Sequence, residues 1–200
     1  MDNLALKTDM TVPIAELETF SFKFLRGHSN RVSKLSVLLG KQLGLPMKDL
    51  QKLKSGGFFH DVGKIGVPMD IILKTGKLTD DEYLKMREHP SIGAKLLSSD
   101  VSFKNIIPIV KHHHERYDGT GYPDRLQGEN IPYLARIAAI ADAFDAMTSR
   151  RSYRAPLDLD IIIEEFEKNK GTQFDPTLTD VFLNIINTDV ESINEIRKKY

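Results

Sequence analysis

Three histidines stand in a row in the stretch KHHHERYDGTGYP, which runs from Lys111 to Pro123 and ends in a glycine-rich turn. The chain has six histidines, so half of them lie in this run. Adjacent imidazoles occur in polar patches, at helix ends and in metal sites. The residue types alone leave these three interpretations open, and only the metal site beside a substrate loop carries chemistry.

A second candidate is the pair His60-Asp61, which follows the apolar stretch GGFF at positions 56–59. Such a pair can bind a metal ion, but it is more often only a hydrogen-bonded pair in a core. Lys64 lies three residues after Asp61, and on a continued helix its ammonium would share that face and reach a phosphate. The alternative is a surface lysine that pairs with Asp61.

Two carboxylates interrupt the apolar segment IADAFDA at positions 140–146. A carboxylate in an apolar helix is costly unless it is paired or bound to a metal ion. Asp142 therefore needs a partner, which is either a metal ion or a nearby arginine such as Arg136. Asp145 is the weaker candidate, and a supporting role behind the site explains it better.

The composition excludes several classes of function. The 28 basic and 28 acidic side chains cancel, so no broad field attracts a nucleic acid polymer or an anionic membrane surface. The chain has no cysteine, which leaves His, Asp and Glu as possible metal ligands. No segment reaches the roughly 18 apolar residues of a membrane span, and the N-terminus lacks the pattern of a secretion signal. We expect a cytoplasmic protein without a membrane partner.

Helical periodicity dominates the elements that must position these residues. Apolar residues recur at helical spacing in two stretches, 32–43 and 137–147. The segment from Thr79 to Glu82 predicts a capping box, Pro132 suits a first helical turn, and Gly44 and Gly171 suit helix ends. The sequence predicts one all-α domain built around a metal site over residues 21–200, with 1–20 as a leading segment and 186–200 as a terminal helix.

Several motifs, in order, resemble the HD-GYP family of cyclic di-GMP phosphodiesterases, a branch of the HD superfamily, over about residues 21–185. They are His60-Asp61, GKIG at 63–66, His89-Pro90 with Gly93, HHER at 113–116, DGTGYP at 118–123, ARI at 135–137, ADAFDAMTS at 141–149, RSYR at 151–154 and FDP at 174–176.

The resemblance implies a set of metal ligands with Asp61 bridging two ions. The implied ligands are His28, His60, Asp61, His89, His113, His114 and Asp142. Such a set of imidazoles and carboxylates suits iron or manganese better than magnesium or calcium. His112 is then an extra histidine. Some members of the family carry a glutamate four residues before the first ligand, and this chain has Phe24 there. We therefore expect two divalent metal ions and not three.

The resemblance also implies residues that contact the substrate. Lys64 would neutralise charge on the phosphate, and the loop with Gly121 and Tyr122 would lie beside the ligand. Arg151 and Arg154, spaced to share one helical face, would hold a guanine or phosphate. Without the resemblance, the loop is an ordinary turn and the arginines are two exposed side chains near a helix end.

The implied function is metal-dependent hydrolysis of cyclic di-GMP to linear pGpG, with further cleavage to GMP left open, and with Asp61 and Lys64 as the catalytic residues. One alternative is a non-catalytic sensor of cyclic di-GMP, or a module that docks on a GGDEF-domain diguanylate cyclase. Another is an HD phosphohydrolase for a different cyclic dinucleotide. A separate sensor or receiver protein is an expected partner.

Overall fold

The first long helix shows how the periodic apolar pattern becomes a core. The structure is a computed structural model that describes residues 26–149 and 156–198. Helix α1, Arg26–Gln42, buries Val32, Leu35 and Leu39, which recur every three or four residues. The chain then turns at Gly44, whose φ of 68° favours glycine. The predictions of this helix and of its end are confirmed.

Helix α2, Met47–Phe59, packs closely on α1. A β-carbon added at Gly57 would lie 2.9 Å from the Cα of Ser33, so only glycine permits this approach. The α-helix ends at Phe59, and a 3-10 helix follows over Val62–Gly66. The expectation of a helix that continues through Lys64 is therefore wrong in this detail.

Short helices build the next part of the fold. They are α3, Met69–Ile72, α4, Asp80–Met86, α5, His89–Leu97, and α6, Ile107–His112, with a 3-10 turn at Val101–Phe103. The capping box that opens α4 is confirmed, because the Thr79 side chain accepts from the Glu82 amide and the Glu82 carboxylate accepts from the Thr79 amide. After α6, the segment 113–132 has only a 3-10 turn at Gly128–Asn130.

Helix α7, Tyr133–Thr148, is the centre of the larger core cluster and confirms the second periodic stretch. Pro132 precedes its first helical residue, one position before the predicted place. Helices α8, Leu159–Asn169, α9, Pro176–Thr188, and α10, Val190–Lys198, follow. The predicted single terminal helix is divided, because Asp189 leaves helical geometry with φ −132° and ψ 49°.

The all-α prediction is confirmed over the part of the chain that the structure describes. Those residues hold ten α-helices and, as the sole β-interaction, an isolated bridge between Lys170 and Phe174. The larger core cluster takes residues from α1, α2, α6, α7, α8, α9 and α10. A smaller one joins Phe59 and Val62 to α5 and α6. The boundary predicted at residue 20 lies outside the described residues and stays a prediction.

Candidate metal centre

The seven side chains proposed as metal ligands come from five separate places in the fold and meet at one site. His28 lies on α1, His60 and Asp61 follow α2, His89 opens α5, His113 and His114 follow α6, and Asp142 lies on α7. Asp61, His89, His113 and His114 form one group, and His28, His60 and Asp142 form another. In each group the potential ligand atoms lie within 4.8 Å of one another.

The carboxylate of Asp61 lies between the two groups. Its Oδ1 is 3.2 Å from Nε2 of His89, and its Oδ2 is 3.4 Å from Nε2 of His60 and 3.5 Å from Nε2 of His28. The Oδ1 atom is buried and accepts no hydrogen bond from the described residues. A buried carboxylate oxygen without a donor is costly, and a cation removes that cost. The residues present therefore fit a metal pair that Asp61 would bridge.

Three of the histidines are oriented by carbonyl oxygens at helix ends. In each case Nδ1 donates to a backbone oxygen in the last turn of the preceding helix, where carbonyls have no partner within the helix. Nε2 is then left to face the site, as in other histidine metal sites. The pairs are His60 with Gly57 at 2.8 Å, His89 with Met86 at 2.7 Å and His113 with Val110 at 2.8 Å.

A close approach of two backbones brings Asp61 to His89. A β-carbon at Gly63 would lie 1.9 Å from the carbonyl oxygen of His89 and 2.4 Å from the amide nitrogen of Gly93. No other residue type fits there. The two glycines therefore let the 3-10 helix after Asp61 lie against the start of α5.

His28 is oriented by a carboxylate and not by a carbonyl. Its Nδ1 lies 2.8 Å from Oδ2 of Asp145, and Arg31 holds the other oxygen of Asp145 with Nε at 2.5 Å. This leaves Nε2 of His28 beside Asp142 Oδ1, at 3.3 Å. Sequence analysis gave Asp145 a supporting role but missed Arg31, which lies one turn beyond His28 on the same helix.

The charges of the site suit metal binding. Burial raises the pKa of Asp61, but the Lys64 ammonium and His60 outweigh it and hold the pKa well below its usual range. Burial lowers the pKa of His114 to about 3, helped by the nearby His89. The carboxylate is therefore ionised and this imidazole neutral at neutral pH, which are the forms that bind metal ions.

His28 differs from His114. Burial lowers its pKa, but hydrogen bonds to Asp142, Asp145 and Asp61 outweigh that effect and raise the pKa well above its ordinary value. These carboxylates therefore favour the protonated form of His28. A cation held by Nε2 of His28 would take the place of a proton there.

Lys64 lies at the site with its Nζ 2.5 Å from Oδ2 of Asp61. In a 3-10 helix three residues make one turn, so side chains at i and i+3 lie directly above one another. The predicted proximity is therefore achieved by a different helix type. The salt bridge foreseen as the alternative is also present, and it holds the ammonium beside the candidate metal positions.

Arg136 does not pair with Asp142, so that alternative is wrong. Its Nη1 lies 2.5 Å from Oδ2 of Asp175, the residue that caps α9. His112, the extra histidine, lies outside both groups, where its Nε2 is 3.0 Å from Oδ2 of Asp124. Asp142 is thus left to the histidines of the site.

The loop from Asp118 to Pro123 lies against the site through its tyrosine. The ring of Tyr122 is 4.9 Å from that of His114, and the Arg87 guanidinium lies 4.6 Å from its centre. Gly119 has a positive φ of 80°, a backbone conformation that favours glycine. A β-carbon at Gly121 would lie 2.3 Å from the amide nitrogen of Arg116, so this glycine is required by the chain's own backbone.

Glu115 is a buried residue of the site region for which the sequence predicted no role. Its two carboxylate oxygens accept from the backbone N–H groups of Asp124, at 2.7 Å, and Leu126, at 3.1 Å. It therefore ties the far side of the loop to the end of α6. Arg151 and Arg154, the predicted substrate clamps, lie outside the described residues.

Two cavities adjoin the candidate metal centre, and His114 and Tyr122 line both. The larger encloses about 960 Å³ and is rich in cations, with Arg31, Lys64, Lys74 and Lys77 in its wall. The smaller encloses about 450 Å³ and lies between α7 and α8. Both volumes are typical of small-molecule sites.

Comparison with protein families gives a match to the HD domain over residues 13–178. A cyclic di-GMP phosphodiesterase response regulator, RpfG, from Xanthomonas campestris pv. campestris is 43% identical over 155 residues, which are 76% of this chain and 41% of that protein. A 3'3'-cGAMP-specific phosphodiesterase from Vibrio cholerae is 38% identical over 160 residues, which are 78% of this chain and 30% of that protein.

Among solved structures, an HDG"Y"P protein from Bdellovibrio bacteriovorus has the same fold. The TM-score is 0.66 at 22% identity, over 80% of this chain and 51% of that one.

The chain spans less than half the length of the two curated relatives, 41% of one and 30% of the other. No helix in the described ranges, 26–149 and 156–198, is both long and apolar enough to cross a membrane.

Proposed function

Because this chain belongs to the HD domain family, in its HD-GYP branch, we propose that it is a metal-dependent phosphodiesterase that hydrolyses cyclic di-GMP to linear pGpG. The observation that carries the proposal is the position of Asp61 between two groups of candidate ligands, with a buried oxygen that lacks a donor. The similarity to cyclic di-GMP phosphodiesterases supports the choice of substrate.

The residues that would hold the metal ions are Asp61, His89, His113 and His114 at one position and His28, His60, Asp142 and again Asp61 at the other. Five imidazoles and two carboxylates are a donor set for iron or manganese, since magnesium and calcium prefer oxygen ligands alone. When bound, such ions polarise a phosphate and lower the pKa of water toward neutrality.

The protein's own side chains orient the substrate and balance its charge. Lys64 lies at the site with its ammonium toward Asp61, where it can move to a phosphate oxygen and stabilise the negative charge that develops there. Tyr122 forms part of the wall of both cavities and offers its ring or hydroxyl to the ligand. Arg151 and Arg154 are proposed to hold a guanine or phosphate, as predicted from the sequence.

A second substrate is favoured by a specific observation, which is the similarity to a 3'3'-cGAMP-specific phosphodiesterase. Cyclic GMP-AMP has the same ring of two phosphates, so the same metal centre and lysine would serve. The larger cavity, which is lined by several basic side chains, suits the second phosphate of either dinucleotide.

We also propose that a GGDEF-domain diguanylate cyclase or a sensor or receiver protein is a partner, and that the protein acts in the cytoplasm.

The direct test is chromatography of the products after protein purified without oxygen is loaded with iron or manganese and incubated with cyclic di-GMP. We expect pGpG to accumulate with multiple turnovers and to disappear when a chelator is added. Binding of cyclic di-GMP without turnover in the metal-loaded protein would favour the sensor alternative. Turnover of cyclic GMP-AMP alone would favour the second substrate.

A further inference from the structure

The smaller cavity has a chemistry that phosphate hydrolysis does not require. Its wall includes the candidate ligands His114 and Asp142 together with Glu165 and Asn169 of α8 and Gln173. A molecule bound at the metal centre therefore reaches directly into a space lined by α8. What that space recognises depends on the groups in its wall.

One wall of this cavity is made of short apolar side chains next to a candidate ligand. Ala139, Ala143 and Ala146 line it, and spacings of four and three residues place them with Asp142 on one face of α7. The short side chains leave room beside the metal centre, and Phe174 adds an aromatic ring to the wall. Such a wall suits a planar ring system better than a phosphate.

Glu165 gives the cavity a hydrogen-bond acceptor whose carboxylate is not paired with a cation among the described residues. Among the described residues, its one side-chain hydrogen bond is with Asn169, whose Nδ2 lies 3.4 Å from Oε2, and no ion pair neutralises it. A cyclic dinucleotide carries two negative phosphates, which a carboxylate repels. Glu165 therefore suits a part of the substrate that carries hydrogen-bond donors.

Guanine has the donors that a carboxylate can bind in pairs. Its N1–H and N2–H groups are adjacent on one edge, whereas adenine has an acceptor at N1 that a carboxylate oxygen would oppose. Gln173 completes the match, because its Oε1 accepts from Arg116 at 3.1 Å and its amide nitrogen is left as a donor for the O6 carbonyl of guanine.

We propose that Glu165 determines base specificity by binding the N1–H and N2–H edge of one guanine in the cavity between α7 and α8. The proposal rests on cyclic dinucleotide hydrolysis as the function of the metal centre. The contact needs only one of the two bases to be guanine. The protein accepts both cyclic di-GMP and 3'3'-cyclic GMP-AMP and discriminates against cyclic di-AMP.

The test compares Glu165→Gln with a matched control, Glu164→Gln, which changes the exposed neighbour on the same helix. Three cyclic dinucleotides, with two, one and no guanines, are assayed with manganese-loaded protein for kcat/KM and with metal-free protein for Kd. Bis(p-nitrophenyl) phosphate serves as a substrate without a base.

We expect the native protein to prefer cyclic di-GMP over cyclic di-AMP by about tenfold or more, the size of a paired hydrogen-bond contact to a base. Glu165→Gln loses about that factor in both kcat/KM and Kd for cyclic di-GMP. Its turnover of bis(p-nitrophenyl) phosphate stays that of the native protein, and Glu164→Gln behaves as native throughout.

An unchanged preference in Glu165→Gln, or a native protein without preference for guanine, would overturn this assignment. Neither result argues against the proposed hydrolysis. If the native protein hydrolyses none of the three dinucleotides, the proposed function is wrong, and the ratio of Kd values in metal-free protein still decides whether Glu165 selects guanine.

Discussion

Asp61 is the residue on which both candidate metal positions depend, since its two oxygens face different groups of histidines. The change Asp61→Ala removes the shared ligand, so we expect bound metal and phosphodiesterase activity to fall to background while helical content persists. Metal analysis, a product assay and circular dichroism measure the three quantities. Asp70→Ala, at an exposed position on α3, is the control. Native metal content with retained turnover would refute the bridging role.

Asp145 acts on the site through His28 and lies behind it. Asp145→Asn keeps an acceptor for Arg31 or His28 but loses the charge that favours Nδ1–H on the imidazole. Changes to such supporting carboxylates typically weaken metal binding by about 10–100-fold. We expect that loss in a titration with manganese, while Asp160→Asn at an exposed position of α8 leaves affinity unchanged. Equal affinities in the two variants would show that Asp145 has only a structural role.

At the residue scale, candidate ligands drew attention where two of them are adjacent or, as with Asp142, where a carboxylate interrupts an apolar helix. His60-Asp61 and His113-His114 stood out by type and spacing but left a hydrogen-bonded pair and a polar helix end open as alternatives. Their assignment as ligands, like that of His28 and His89, came from the family resemblance. Arg31 was missed because its partner, Asp145, lies 114 positions away in the chain. The role of Glu115 was not predicted because its partners are backbone N–H groups, which do not depend on residue type and so give no signal in the sequence.

At the scale of elements, the loop from Asp118 to Leu126 is held by the buried carboxylate of Glu115. Glu115→Ala leaves two N–H groups without an acceptor, which costs about 1–3 kcal/mol of the free energy of unfolding. We expect that loss in urea denaturation, together with a raised KM and native metal content, because Tyr122 belongs to the same loop. Glu129→Ala, exposed in the same segment, is the control. A lowered metal content with native KM would place Glu115 in the metal site instead.

The same loop should make stability depend on pH in the acid range. Burial raises the pKa of Asp118, but hydrogen bonds from Arg116 and Thr120 lower it to about 2. A carboxyl group whose pKa is lower in the folded state contributes stability above its unfolded pKa of about 3.9. That contribution is lost as pH falls through the folded value.

We therefore expect Asp118→Asn to be less stable than the native protein at pH 6, with a difference that shrinks between about pH 4 and pH 2. Urea denaturation at several pH values, with Asp160→Asn as the control, measures it. A difference that does not change over this range would mean that Asp118 keeps its ordinary pKa in the folded protein.

The predicted elements succeeded where apolar spacing is long or where a local capping residue marks a helix end, as at Gly44 and Thr79, and failed at two other helix ends. The stretches 32–43 and 137–147 supply two or more turns of pattern, and both became helices. The end of α2 at Phe59 and the break at Asp189 are not marked by the spacing of apolar residues. The change from α-helix to 3-10 helix before Lys64 is likewise not marked in the sequence pattern.

At the scale of the whole molecule, the candidate ligands join segments that are far apart in the chain, from His28 to Asp142. Metal ions that bind only the folded state add about 2.7 kcal/mol of stability per site when their concentration is 100 times Kd. We expect chelation to lower Tm, manganese or iron to restore it, and calcium to fail because it prefers oxygen ligands. If the Tm of metal-loaded protein does not change when chelator is added, the ions do not hold these segments together.

The number of metal ions is the last property that the arrangement of ligands predicts. The seven side chains form two groups that share Asp61, and Phe24, where some family members have a glutamate, supplies no oxygen. Phe24 itself lies outside the described residues. We expect two equivalents of tightly bound metal per chain. We also expect cyclic di-GMP to be opened to pGpG and the second cleavage to be slow, because that step lacks the positive charge of a third ion. Metal analysis of protein loaded without oxygen, paired with a time course of products, tests both halves. Three equivalents would refute the two-metal site, and rapid release of GMP with only two would refute the link from metal number to product.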